Sequence, residues 1–199
     1  MSLAAVPYLL IAFRLLAGVA VVVLALAYGP AARFGCAALL AGGLLSDIFD
    51  GVIARRIGSV TDRLRTFDSR TDLVFWIGVT VAVLVLHPNL VKSTLPMVVI
   101  LGGIELTVHL VSFARFGREA SPHHLLSKLF GLALWALLTQ LLITGAGGLL
   151  QFGVFILGAV SQLEALAITL TLPAWRCDVR GIRTAWELRK SNAPLTQLS

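Results

Sequence analysis

The chain is predicted to be an all-α integral membrane protein, a bundle of six transmembrane helices with both termini in the cytoplasm. Three observations lead there. Of its 199 residues, 58% are hydrophobic and only 13% charged, with a mean hydropathy of +0.92, where a water-soluble domain carries a more even mixture. The apolar residues gather into blocks long enough for a hydrocarbon core of about 30 Å. The basic residues are sorted to one side of those blocks.

The blocks run over residues 7–28, 34–56, 69–87, 95–115, 125–145 and 150–172. Gly29-Pro30 breaks the first from the second, His87-Pro88-Asn89 closes the third, and Ser121-Pro122 precedes the fifth. Gly145-Ala146-Gly147-Gly148 separates the last two. Proline lacks the amide a helix interior needs, and glycine supplies the conformations that end one. Period-two alternation is too weak for a membrane barrel. Ala25-Leu26-Ala27 has the small-x-small form of a signal-peptidase site. No basic segment precedes it, however, and Arg14 interrupts the block, so a retained first helix is expected. Residues 1–172 are thus expected to form the membrane domain and 173–199 a basic cytoplasmic tail. Gly18, Gly42, Gly43, Gly78, Gly102, Gly103, Gly131, Gly153 and Gly158 are expected to let helices pack closely in lipid.

The net charge is +6, from 16 basic and 10 acidic residues. With the N-terminus inside, Arg14, Arg55, Arg56, Arg63, Arg65, Arg70, Arg115, Arg118, Lys128, Arg176, Arg180, Arg183, Arg189 and Lys190 fall on the cytoplasmic side, against Arg33 and Lys92 outside. Topology therefore accounts for the charge. No basic face is interleaved with exposed aromatics, so no nucleic-acid partner is expected. The basic tail suits the headgroups of anionic membrane lipids. Cys36 and Cys177 offer neither a disulfide framework nor metal-ligand spacing.

Chemistry concentrates between Ser46 and Asp72, SDIFDGVIARRIGSVTDRLRTFDSRTD. Asp47 and Asp50 end one apolar block, and Asp68 and Asp72 open the next. Spacings of three and four put each pair on one helical face. Four acids at a membrane edge repel one another unless a cation or proton lies between them. Hard divalent ions such as Mg²⁺ or Mn²⁺ take such oxygen ligands and share them with phosphate. Asp47, Asp50, Gly51, Ala54 and Arg55 form one stripe, at i, i+3, i+4, i+7 and i+8. Gly51 and Ala54 leave room for a bulky group against the helix, and Arg55 suits bidentate contact with phosphate oxygens. Metal, space and phosphate clamp together describe a site for a nucleotide diphosphate.

This run resembles the signature of the CDP-alcohol phosphotransferases, D-x2-D-G-x2-A-R-x8-G-x3-D-x3-D, matching seven of its eight marked positions. The Pro7-x-x-Leu10-x-x-x-Arg14 start, the six spans and Ser127-Lys128 extend the resemblance over most of the chain. It implies that a CDP-linked donor, usually CDP-diacylglycerol, passes its substituted phosphate to an acceptor hydroxyl and releases CMP. It implies Asp47, Asp50 and Asp68 as metal ligands and Asp72 as both the base and a further ligand. Gly51, Ala54, Arg55 and position 64 would contact the CDP moiety. A pair of Mg²⁺ or Mn²⁺ ions about 3.5–4 Å apart suits this chemistry, and a homodimer follows by analogy. The departure is Leu64, where the family has glycine lining the nucleotide pocket. Leucine there is expected to narrow the pocket, shift the loop or mark loss of activity; if it merely crowds the nucleotide, Leu64→Gly raises donor affinity or rate.

Arg14, a turn or two inside the first block, is expected to snorkel to the interface, with pairing to the acids as the alternative. Thr61 and Asp62 read as a polar link. Glu105 and His109, one turn apart, are expected to face the bundle interior, and Glu164 to meet a basic group. Arg115, Arg118, His123, His124 and Lys128 surround one cytoplasmic loop; Arg115, Arg118 and Lys128 are expected to bind a phosphorylated acceptor, and simple positive-inside charge is the alternative. Two other readings compete with the transferase: a catalytically silent relative, motivated by Leu64, and a small cation transporter. The second requires midplane sites or inverted repeats, which the sequence lacks.

Overall fold

The computed structural model describes residues 6–56, 62–120, 124–176 and 179–191. Its elements are α1 (Val6–Tyr28), α2 (Arg33–Arg56), α3 (Asp62–Leu86), α4 (Val91–Phe116), α5 (Leu125–Thr144), α6 (Gly148–Thr171) and α7 (Ile182–Ser191). No strand occurs among the described residues. Short 3₁₀ turns at Gly29–Ala32 and Pro88–Leu90 join α1 to α2 and α3 to α4. Gly29 opens the first of these turns at φ 54°, a conformation most side chains avoid.

The six long helices follow the six apolar blocks within a few residues, with two informative differences. Helix α3 starts at Asp62, well before its apolar block, so position 64 lies in a helix and not in a loop. Helix α7 lies inside the tail that was read only as polar and basic. Among the described residues, five stretches are long and apolar enough to cross a membrane, the first of them, Val6–Ile53, containing α1 and most of α2. With the family described below, these helices make the chain an integral membrane protein.

The chain divides into two compact units, residues 1–91 with 135–147 and residues 92–134 with 148–199. In the first, α1 is the central helix. Cys36 Sγ lies 3.6 Å from the Val21 carbonyl, Gly42 faces Phe13, and Ser46 Oγ meets Arg14. Sequence numbers rising along α2 as they fall along α1 define an antiparallel hairpin. Against α3 the numbers rise together, from Ile11 with Leu64 to Gly18 with Phe75 and Gly78, so α1 and α3 run parallel. The close approach depends on missing side chains. A methyl at Gly78 would stand 2.5 Å from the Gly18 carbonyl oxygen, and one at Gly18 would stand 3.0 Å from the Phe75 Cα. Gly43 is likewise filled by the Phe75 ring. This is the close packing expected of small residues in lipid. It holds at Gly18, Gly42, Gly43, Gly78 and Gly158 but not at Gly102, Gly103, Gly131 or Gly153, which face open space.

In the second unit α7 packs an apolar face, Ile182, Ala185 and Leu188, against Phe116, Ile168, Leu172 and Val179. Arg115 donates to the carbonyls of Thr169 (2.6 Å) and Leu172 (3.3 Å). These are orphan acceptors at the end of α6, so the guanidinium acts as a C-terminal cap. Gln151 of α6 donates to Thr94 Oγ1 of α4 at 3.1 Å, pairing two buried polar groups.

Candidate active site and metal centre

Antiparallel α2 and parallel α3 together bring three helix segments to one end of the first unit. These are the early turns of α1, the last turns of α2 and the first turns of α3. The helical spacing of three and four then turns Asp47 and Asp50 from α2, and Asp68 and Asp72 from α3, toward α1. At their centre lies Arg14, whose side chain is only 1% exposed. Its Nη1 stands 3.1 Å from Asp47 Oδ1 and 2.8 Å from Asp68 Oδ1, and it also donates to Asp72 Oδ1. Its Nη2 donates to Asp50 Oδ2, and its Nε reaches Ser46 Oγ at 3.4 Å. The Ser46 hydroxyl in turn donates to the Gly43 carbonyl at 2.7 Å. Asp50 is buried, whereas Asp47, Asp68 and Asp72 are half-buried.

Arg14 therefore does not snorkel. Four carboxylates in a poorly solvated site attract the nearest cation more strongly than water retains it, and the arginine stem is long enough to reach them. The signal was present in the sequence as one unmatched arginine in an apolar block on the same predicted side as four acids. Which helix face it occupied was not.

The donor set fits a hard divalent ion. One oxygen each from Asp47, Asp50 and Asp68 lies within 4.8 Å of the other two, a spacing that a single ion can bridge. All are carboxylate oxygens, which suit Mg²⁺ or Mn²⁺. The cation among them in the structure is the Arg14 guanidinium. Asp72 belongs to the Arg14 cluster but not to that three-oxygen group.

Among the other predicted positions, Gly51 is half-buried on α2, one residue beyond Asp50. Ala54 and Arg55 continue α2, and their side chains lie outside the described ones, as do those of Asp62 and the whole of Thr61. Leu64 is buried, 5% exposed, and clusters with Ile11 of α1. This packing gives Leu64 a structural contact beside its expected place at the nucleotide pocket. Leu64→Gly removes a buried side chain from the α1–α3 contact and puts glycine into a helix. The expected cost is about 3–5 kcal/mol of stability, read as a lower thermal midpoint in detergent. A midpoint equal to wild type, with faster turnover, would support the crowding reading.

In the second unit, Arg115 caps α6, which gives its charge a structural use. The Arg118 guanidinium lies 4.9 Å from the centre of the Trp175 ring, and Lys128 is exposed near the start of α5. His123 lies outside the described residues. His124 is buried, with Nδ1 3.1 Å from Glu164 Oε2. Glu164 Oε1 also accepts the Ile182 amide at the start of α7, at 3.4 Å. The basic partner expected for Glu164 is thus a histidine, and the acid also caps the tail helix. Glu105 and His109 face each other at 3.5 Å, with side chains 44% and 34% exposed.

Fold and site define a class: a helical membrane protein whose cluster of four aspartates around one arginine sits where its apolar stretches end. The family model for CDP-alcohol phosphatidyltransferases matches residues 4–172, and the chain belongs to that family. No curated protein matched the chain, and no solved structure did. The family's reaction is transfer of a phosphoalcohol from a CDP-alcohol to an acceptor alcohol, typically with a metal.

Proposed function

We propose that the chain transfers a phosphatidyl group from CDP-diacylglycerol to the hydroxyl of a phosphorylated polyol, such as glycerol 3-phosphate or inositol phosphate. The observation that carries this reading is the convergence of Asp47, Asp50, Asp68 and Asp72 on one buried cation, in a chain of this family. Asp47, Asp50 and Asp68 would hold Mg²⁺ or Mn²⁺, one ion or a pair, supplying Lewis-acid charge to the diphosphate and to departing CMP. Asp72 accepts the acceptor's hydroxyl proton as that oxygen bonds to phosphorus and the bond to CMP breaks. Gly51 and Ala54 leave space for the nucleotide, and Arg55 engages its phosphates. Leu64 replaces the family's glycine beside that space, and its packing on Ile11 supports a structural use for the leucine.

The proposed setting is the cytoplasmic membrane, crossed six times, with both termini and the active site on the cytoplasmic side. The charge distribution supports it. A homodimer is the proposed assembly. The half-exposed Glu105–His109 pair within an apolar helix suits a protein partner better than lipid.

The acceptor's phosphate is assigned to Arg118 and Lys128, as a planar donor fork and a point charge. Arg115 completes the predicted trio, although its guanidinium already caps α6. Arg118→Ala or Lys128→Ala is expected to raise the acceptor KM about tenfold, roughly one lost charged contact, and to leave the donor KM unchanged. Good turnover of serine or unphosphorylated inositol, with phosphorylated acceptors ignored, would refute the assignment.

The decisive experiment incubates purified protein with CDP-diacylglycerol, Mg²⁺ or Mn²⁺ and a panel of acceptors. CMP release that requires both metal and one acceptor is the expected result. Metal binding without CMP release on any acceptor would favour a silent relative, and cation flux across liposomes would favour a transporter.

A further inference from the structure

We propose that Arg14 is a built-in counter-cation that holds the four carboxylates together before a divalent ion binds and yields their oxygens when it does. The inference rests on the transferase reading only in taking a divalent ion as the site's working cation. Its basis is the geometry of the cluster. A guanidinium Nη carries two N–H groups, yet Arg14 Nη1 faces oxygens of three aspartates, Asp47, Asp68 and Asp72. One acceptor is therefore always poorly served. One guanidinium is also shared among four carboxylates.

A divalent ion brings twice the charge and has no fixed number of hydrogens to share among the oxygens. It also needs the same three carboxylates. Arg14 faces Asp47 Oδ1, Asp50 Oδ2 and Asp68 Oδ1, one oxygen on each aspartate of the three-oxygen group. The guanidinium and the ion thus compete for one set of carboxylates. Ser46 Oγ, which meets Nε and not the Nη atoms, is placed to keep the arginine near the site after it withdraws.

Competition and assistance predict opposite signs. If Arg14 competes, removing its charge tightens ion binding; if it only positions the aspartates, removing it loosens binding. Mn²⁺ binding to purified protein in detergent, without donor or acceptor, can be read by electron paramagnetic resonance. Arg14→Gln is expected to bind Mn²⁺ at least about tenfold tighter than wild type, because a unit charge a few ångströms away is lost. Arg14→Lys should fall between them, since a compact ammonium bridges four carboxylates less well. Without metal, the thermal midpoint of Arg14→Gln should drop, and Mn²⁺ should raise it by more than it raises the wild-type midpoint.

Equal or weaker Mn²⁺ binding by folded Arg14→Gln overturns the proposal, and so does an undiminished metal-free midpoint. If Arg14→Gln does not fold, Arg14→Lys decides alone: tighter binding than wild type supports the proposal, and equal or weaker binding overturns it. The transferase reading fails separately. A protein showing the expected binding order but releasing no CMP with any acceptor keeps the Arg14 assignment and loses the enzyme. An active wild type whose Arg14 variants bind Mn²⁺ no better does the reverse.

Discussion

Asp50→Asn or Asp68→Asn should lower metal-dependent CMP release by about a thousandfold or more, close to 4 kcal/mol of transition-state stabilisation. Each replacement removes a charged oxygen from the three-aspartate group, so Mn²⁺ binding should weaken in parallel. The fold should survive. Four carboxylates surround one guanidinium, and the loss of one acid relieves repulsion while three partners remain for Arg14. Helix packing in this unit is carried by Gly18, Gly43, Phe75 and Gly78, none of which is touched. Turnover, Mn²⁺ titration and thermal unfolding of the same preparation make the check. Full activity in either variant would remove these aspartates from the metal site.

Asp72→Asn should reduce kcat by about a hundredfold to ten-thousandfold, the usual worth of a positioned base, while the donor's affinity stays near wild type. A base acts in the transition state, whereas the donor's diphosphate is held in the ground state by the metal site and Arg55. The structure adds a reason to separate the two roles. Asp72 reaches the cluster through Arg14, while the three oxygens close enough to share an ion come from Asp47, Asp50 and Asp68. Donor binding measured directly on the variant, beside kcat, tests the split. A fall in donor affinity as large as the fall in kcat would make Asp72 chiefly a ligand.

The sequence by itself determined whatever depends on neighbours within a turn or two. Hydropathy and Gly/Pro punctuation placed six helices within a few residues, because each apolar block must satisfy its own backbone hydrogen bonds in lipid. Spacings of three and four placed Asp47 with Asp50, and Asp68 with Asp72, on shared faces. The fixed order of the signature carried the family. Helix α7 was missed because Ile182, Ala185 and Leu188 form a short stripe inside a basic tail, weaker than the charge around it.

Only the tertiary structure decided which faces meet. Arg14 is separated from its partners, Ser46 to Asp72, by 32 to 58 residues of chain. No local period can set that pairing; it follows from α1 running antiparallel to α2 and parallel to α3, at a distance allowed by Gly18 and Gly78. The same register puts Leu64 on Ile11, giving the departure from the signature a place in a helix contact. Arg115 and Glu164 found their uses at helix ends, where orphan carbonyls and amides need partners that only folding brings within reach. Composition and spacing specify which groups a membrane protein must neutralise. The packing register of its helices selects the groups that do so.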